Sequence, residues 1–246
     1  MKHSLLGLIA LFLTCTTVAQ ENPKKIYFTE PGELIFQFSQ STIENNTAKN
    51  GVRTSYFTNV PAYMHINFNN NIGLMPGISI RNIGIKTKDE QIFTGMDTIT
   101  YDIIKRRVFT GGVSCALKIG SFQRHLWAYA GGGMDWAFHY RQKLYESGHN
   151  KKVTKEGEWM SNATPSMIPS VFVGIQTPLG LNFKATYYFN DFINQTYNGI
   201  FGNFSNITKS QLFTLSVSIV LKDMKSEISD ELPIESPSRK EKSVEL

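Results

Sequence analysis

Apolar and polar residues alternate with a period of two in eight successive segments of this chain, the spacing of strands that present one apolar face. Leu34, Phe36 and Phe38 alternate with Glu33, Gln37 and Ser39, and Ala62, Met64, Ile66 and Phe68 with Tyr63, His65 and Asn67. The pattern recurs around Ile72–Arg81, Phe109–Lys118, Leu126–His139, Ser170–Gln176, Leu181–Asn190 and Phe213–Leu221, and no helical period competes with it. The chain is predicted to be all-β, with about eight strands.

The connections predict how the strands are arranged. Asn69–Asn71, Gly120–Gln123 and Pro178–Gly180 are short and rich in turn formers, as hairpins require. The others, about Glu44–Ser55, Thr87–Lys105, Gln142–Pro165 and Gln195–Thr208, are long and polar. Short and long connections alternate, so all long loops are expected at one end, as in bacterial outer-membrane barrels. The face opposite the apolar one is mostly Gly, Ser, Thr, Asn and Tyr with few charges, which suits a crowded polar lumen better than a solvated exterior. The expected fold is therefore an eight-stranded antiparallel up-and-down transmembrane β-barrel. A soluble sandwich or a lipocalin-type barrel is the competing reading. Aromatic residues support the orientation: Tyr56, Phe57, Trp136, Phe138, Tyr140, Phe189, Phe192 and Phe213 fall at the outer strand ends, and Phe68 and Phe122 at the opposite rim.

Targeting sets the compartment. Residues 1–19 carry a basic start, an apolar run from Leu5 to Leu13 and a small-residue end, and read as a secretory signal peptide cut before Gln20. Lipidation at Cys15 is a weaker use of the same segment. Residues 20–31 are expected to form a periplasmic lead, 32–222 the barrel in the bacterial cell outer membrane, and 223–246 a charged, disordered periplasmic tail. Among 246 residues only Cys15 and Cys115 are cysteines, which excludes a disulfide scaffold.

The stretches Ile78–Gly84, Leu117–Gly120 and Tyr129–Gly133, within the order of signal peptide, short lead and paired strands, resemble the small outer-membrane β-barrel proteins of Bacteroidota, a largely uncharacterised family. The resemblance covers about Gly32 to Lys222. It implies a barrel of unassigned function. Such barrels often end on an aromatic residue, whereas the last strand here finishes at Leu221 and a tail follows.

Little in the sequence suggests catalysis. Asp135 and His139 lie four apart in one predicted strand, on one interior face but about 13 Å from each other, and Ser114 and Ser170 are the hydroxyls that could join them in a hydrolase-like group. A lumen filled by side chains is the favoured alternative, in which buried charges must pair. Glu33, Arg81, Lys118, Asp135 and Lys184 are the expected interior network. The histidines lack ligand spacing, and Gly131–Gly133 sit inside a strand, so neither a metal, a cofactor nor a phosphate loop is expected. Lys143, Lys151, Lys152 and Lys155 alternate with Glu146, Glu156 and Glu158 in a connection that reads as a solvated loop, with contact to acidic lipopolysaccharide or nucleic acid as the alternative. Asp97-Thr98-Ile99 matches a short O-glycosylation motif.

Three functional classes follow. The leading one is a non-enzymatic structural or interaction protein, an accessory subunit of an envelope complex, with outer-membrane lipid and envelope proteins as partners and no nucleic acid. Its expected contact residues are Trp159, Met160, Tyr197 and Phe201, with self-packing of the loops over the barrel mouth as the alternative. A barrel-embedded acyltransferase or protease and a narrow pore are the other two.

Overall fold

The computed structural model describes residues 25–43, 46–56, 58–94, 97–146 and 151–219. The segments expected as signal peptide and charged tail, with Cys15 and Phe57, lie outside them. The strands in chain order are β1 (Ile26–Thr29), β2 (Gly32–Ile43), β3 (Asn46–Thr47), β4 (Lys49–Asn50), β5 (Arg53–Ser55), β6 (Val60–Asn67), β7 (Ile72–Thr94), β8 (Asp97–Ser121), β9 (Leu126–Glu146), β10 (Lys151–Trp159), β11 (Met167–Gln176), β12 (Leu181–Tyr188), β13 (Asn198–Gly199), β14 (Gly202–Asn203) and β15 (Ile207–Ile219). All pairings are antiparallel.

The main sheet runs β1-β6-β7-β8-β9-β11-β12-β15-β2-β3, with β10, β4 and β5 attached to β9, β7 and β2. This path is not a closed ring, and its segments are more numerous than the eight uninterrupted strands expected. Part of the expected lead is itself a strand: β1 pairs with β6 from Ile26↔Ile66 to Thr29↔Tyr63. Glu30 and Pro31 interrupt it before β2, and a proline cannot donate to the ladder.

Two expected loops are strands. β7, β8 and β9 have 23, 25 and 21 residues, against the roughly 9 to 11 that cross a bilayer. Residues 87–94 and 97–105 form the upper parts of β7 and β8, and 142–146 and 151–159 are the end of β9 and all of β10. The three long strands therefore continue about a dozen residues, roughly 40 Å of strand, past the crossing segment.

Alternation sorts the side chains in the sense opposite to a soluble protein. Ile78, Ile80, Val113, Leu117, Val171, Val173, Phe183, Leu215 and Ile219 are exposed along the sheet. Gln37, Ser79, Thr110, Ser170, Thr186, Thr214 and Ser216 are buried on its other face. A continuous apolar exterior around a polar interior has no favourable arrangement in water and is the one a lipid-spanning barrel needs. Among the described residues no helix is long and apolar enough to cross a membrane, which says nothing about strands.

Candidate functional site: a filled lumen and an outer extension

The buried charges in the lumen form a chain of ion pairs. Lys184 Nζ lies 2.5 Å from Glu33 Oε1, Arg81 Nε 3.8 Å from Glu33 Oε2, and Arg81 Nη1 3.6 Å from Asp135 Oδ2. Ser216 donates its hydroxyl to Glu33 Oε1 at 2.6 Å, and Lys184 donates to the Tyr63 hydroxyl at 3.1 Å. Four strands deliver these groups to one level: β2 carries Glu33, β7 Arg81, β9 Asp135 and β12 Lys184. Gly112, directly across from Asp135, leaves the room its carboxylate occupies, since a Cβ there would stand 2.0 Å from Oδ1. Gly174 does the same for Tyr129, whose hydroxyl donates to Asn182 Oδ1 at 2.7 Å.

Lys118 does not join this network. It lies across from Tyr129, six residues below Asp135 on β9 and so roughly 20 Å away along the strand. There it sits 3.0 Å from His65 Nδ1, surrounded by the rings of Tyr27, Phe122 and Trp127. Phe122, expected at the outer surface of this rim, is buried in that cluster.

The hydrolase-like group is not assembled. A register shift between Phe109 and Thr110 marks a bulge opposite Phe138, so the alternation changes phase between Asp135 and His139. Asp135 points into the lumen, whereas His139 lies on the outside beside Trp159, with ring centroids 4.6 Å apart. Ser114 donates weakly to the Gly77 carbonyl at 3.4 Å. Gly131–Gly133 pair within β9 with β8 and β11. Among the described residues no group of three His, Cys, Asp or Glu is placed to hold a metal.

The outer mouth is covered by the segment between β12 and β15. Phe192, Ile193, Tyr197, Phe201 and Phe204 pack with Tyr140, Tyr188, Ile83, Ile85 and Val108. Tyr197 and Phe201, expected as contact residues, are thus buried in a lid, as are Tyr140 and Phe192, expected in the aromatic girdle. Apolar area removed from water drives this packing, and a lid tethered at both ends loses less freedom than an open loop would suggest. Trp159 and Met160 are exposed, with Trp159 stacked 5.9 Å from Phe138.

A second buried pair anchors the extension above the lid, one that a loop over Thr87–Lys105 does not imply. Arg106 grips Glu90 with both guanidinium nitrogens, at 2.6 and 2.8 Å, while the Thr87 hydroxyl also donates to Glu90 Oε2. Burial alone would raise the Glu90 carboxyl, but the Arg106 charge and these hydrogen bonds outweigh it and hold it below the ordinary carboxylate range. A lowered carboxyl stabilises the fold above its unfolded value, about 4.3, and stops doing so as pH falls through its folded value. The pair's contribution should therefore be constant from pH 5 to 8. Glu90→Gln should reduce hydrogen-exchange protection of the β8 amides near Arg106 by about 3 to 5 kcal/mol, the cost of leaving one buried charge unpaired. Unchanged protection at neutral pH would show the pair to be incidental.

No protein-family model and no curated protein matches the sequence. Among solved structures the chain is similar to Ail, the attachment invasion locus protein of Yersinia pestis, at 11% identity over 78% of this chain and 99% of that one, with a TM-score of 0.36. It is also similar to Neisserial surface protein A, at 10% identity over 82% and 99% with a TM-score of 0.38. A third match is the outer membrane protein OprG from Pseudomonas aeruginosa, at 11% identity over 82% and 97% with a TM-score of 0.35.

Proposed function

We propose that the chain is a non-enzymatic integral β-barrel of the bacterial outer membrane, a structural or interaction protein of the Bacteroidota type that serves as an accessory subunit of an envelope complex. The observation that supports it is the inverted distribution of polarity, apolar outside and polar inside, combined with a lumen occupied by its own side chains. The barrel has eight strands on this reading. β1 with β2 make one strand broken at Pro31, and β5 with β6 make a second, broken between Ser55 and Val60. β7, β8, β9, β11, β12 and β15 complete the count. The seam between the first two is bridged by the short β2–β5 ladder, Ile35↔Ser55 to Gln37↔Arg53, and by the Glu33 amide reaching the Asn59 carbonyl at 3.5 Å.

The filled lumen argues against transport, since an eight-stranded barrel is just wide enough for its side chains. The outward extension of β7 to β10 is then the surface left for partners. The chain should fractionate with outer membranes, shift its gel mobility on boiling, and give no stable conductance in planar bilayers. Recovery in the soluble periplasm would refute the membrane barrel, and steady unitary currents would refute the filled lumen.

A further inference from the structure

The outer face of the extension carries cations in register. Lys86 pairs with Lys105, Lys105 with Lys143, and Lys143 with Lys155, so four lysines line one rung across β7, β8, β9 and β10. One repeat closer to the barrel, Arg107 lies across from Arg141. The next repeat is aromatic: Phe109 across from His139, and His139 across from Trp159. Phe138 stacks between them, 6.4 Å from Phe109 and 5.9 Å from Trp159, with Trp136 6.4 Å below.

Directly opposed like charges destabilise a sheet unless something neutralises them. Strand alternation removes the nearest candidates, because Glu156 and Glu158 pair with the inward-facing Gln142 and Tyr140 and so belong to the other face. Among the described residues none of Lys86, Lys105, Arg107, Arg141 and Lys155 has a carboxylate within ion-pair distance. The groups feel one another. Lys86 is held below its ordinary value by partial burial and by Lys105 and Lys88, and Arg107 by burial and by Arg141, with Tyr145 offsetting part of it.

The position of the face says which anion compensates it. It is the upward continuation of the surface that carries Val113, Leu117 and Met134 toward lipid, and its aromatic row is of the kind that sits at a membrane interface. Cations one and two repeats beyond that row, roughly 7 and 14 Å, stand at headgroup height on the side turned to neighbouring lipids. We propose that the cross-strand pair Arg107–Arg141 and the row to which Lys86, Lys105 and Lys155 belong bind the phosphate groups of outer-leaflet glycolipid headgroups. The guanidinium pair meets the phosphate nearer the acyl chains, and the lysine row meets charge farther out. This rests on the outer-membrane reading, but fractionation tests that reading separately from the binding measured here.

The test is equilibrium binding of the full mature chain, folded in zwitterionic micelles, to diphosphorylated lipid A, dephosphorylated lipid A and soluble tripolyphosphate. Diphosphorylated lipid A should bind at least about tenfold more tightly than the dephosphorylated form, with an affinity that falls steeply with added salt. The combined variant Lys86→Gln, Lys105→Gln, Arg107→Gln, Arg141→Gln should lose that preference, while neutralising Lys25, Lys49, Arg124 and Lys209 instead should preserve it. Equal binding of the two lipids, or no salt dependence in the unaltered chain, overturns the proposal even if the variant fails to fold. Preference for tripolyphosphate over the phosphorylated lipid also overturns it, in favour of a soluble polyanion.

Discussion

Replacing Glu33 with Gln should cost roughly 3 to 5 kcal/mol of unfolding free energy, read as a lower urea midpoint in micelles. The carboxylate is buried and touches two cations from different strands, Lys184 at 2.5 Å and Arg81 at 3.8 Å. Its loss leaves Arg81 with Asp135 as its one carboxylate among the described residues and Lys184 with the Tyr63 hydroxyl, in a space with little room for compensating water. The penalty is thus mostly that of a stranded charge rather than the net worth of the pair. Glu33→Gln combined with Lys184→Met removes both charges and should recover more than half of it. A single-variant cost below about 1 kcal/mol would mean that the lumen is wet enough to screen its charges, and the filled-lumen reading would fail with it.

Which charges meet in the lumen was only partly legible from the sequence. Period-two alternation places Glu33, Arg81, Lys118, Asp135 and Lys184 on inward faces, and they are all buried. Height within the lumen, however, depends on the register of each strand against its neighbours, which alternation does not contain. Alternation alone therefore groups Lys118 with a network that lies several rungs above it. The phase of the alternation is equally vulnerable: one bulged residue at Phe138 turns His139 outward and dissolves the pairing with Asp135 that a regular strand implied.

The mixed charges of residues 142–159 were misleading for a related reason. Read as a loop, lysines and glutamates in alternation average to a neutral, solvated segment. Folded as β9 and β10, the same alternation puts Lys143 and Lys155 on one face and Glu156 and Glu158 on the other, and the cationic row appears only once four strands are aligned. The buried Glu90–Arg106 pair was hidden by the same reading of Thr87–Lys105. Expected membrane crossings of about ten residues left no reason to extend these strands further. Polar composition above the bilayer carries none of the apolar signal by which the crossings were found.

Ala185 supplies the sharpest distinction between a lipid-facing wall and a soluble sheet. It sits mid-strand in β12 between Val173 and Leu215, both exposed on the outer surface. Ala185→Arg should destabilise the folded chain in lipid vesicles by roughly 2 to 4 kcal/mol, because a guanidinium near the bilayer midplane must keep its charge among acyl chains. The cost should decline along the same face toward the outer rim, so Tyr187→Arg should be milder and Phe189→Arg should fall to about 0 to 1 kcal/mol. Ala185→Leu should be nearly neutral, since lipid accommodates added volume. Thr186→Leu should cost about 1 to 3 kcal/mol, because Thr186 points into a lumen already full. Urea unfolding of the six proteins, unaltered chain included, measures all of this. An arginine profile that is flat from Ala185 to Phe189, each costing no more than an ordinary exposed substitution, would place this face in water and remove the barrel from the membrane.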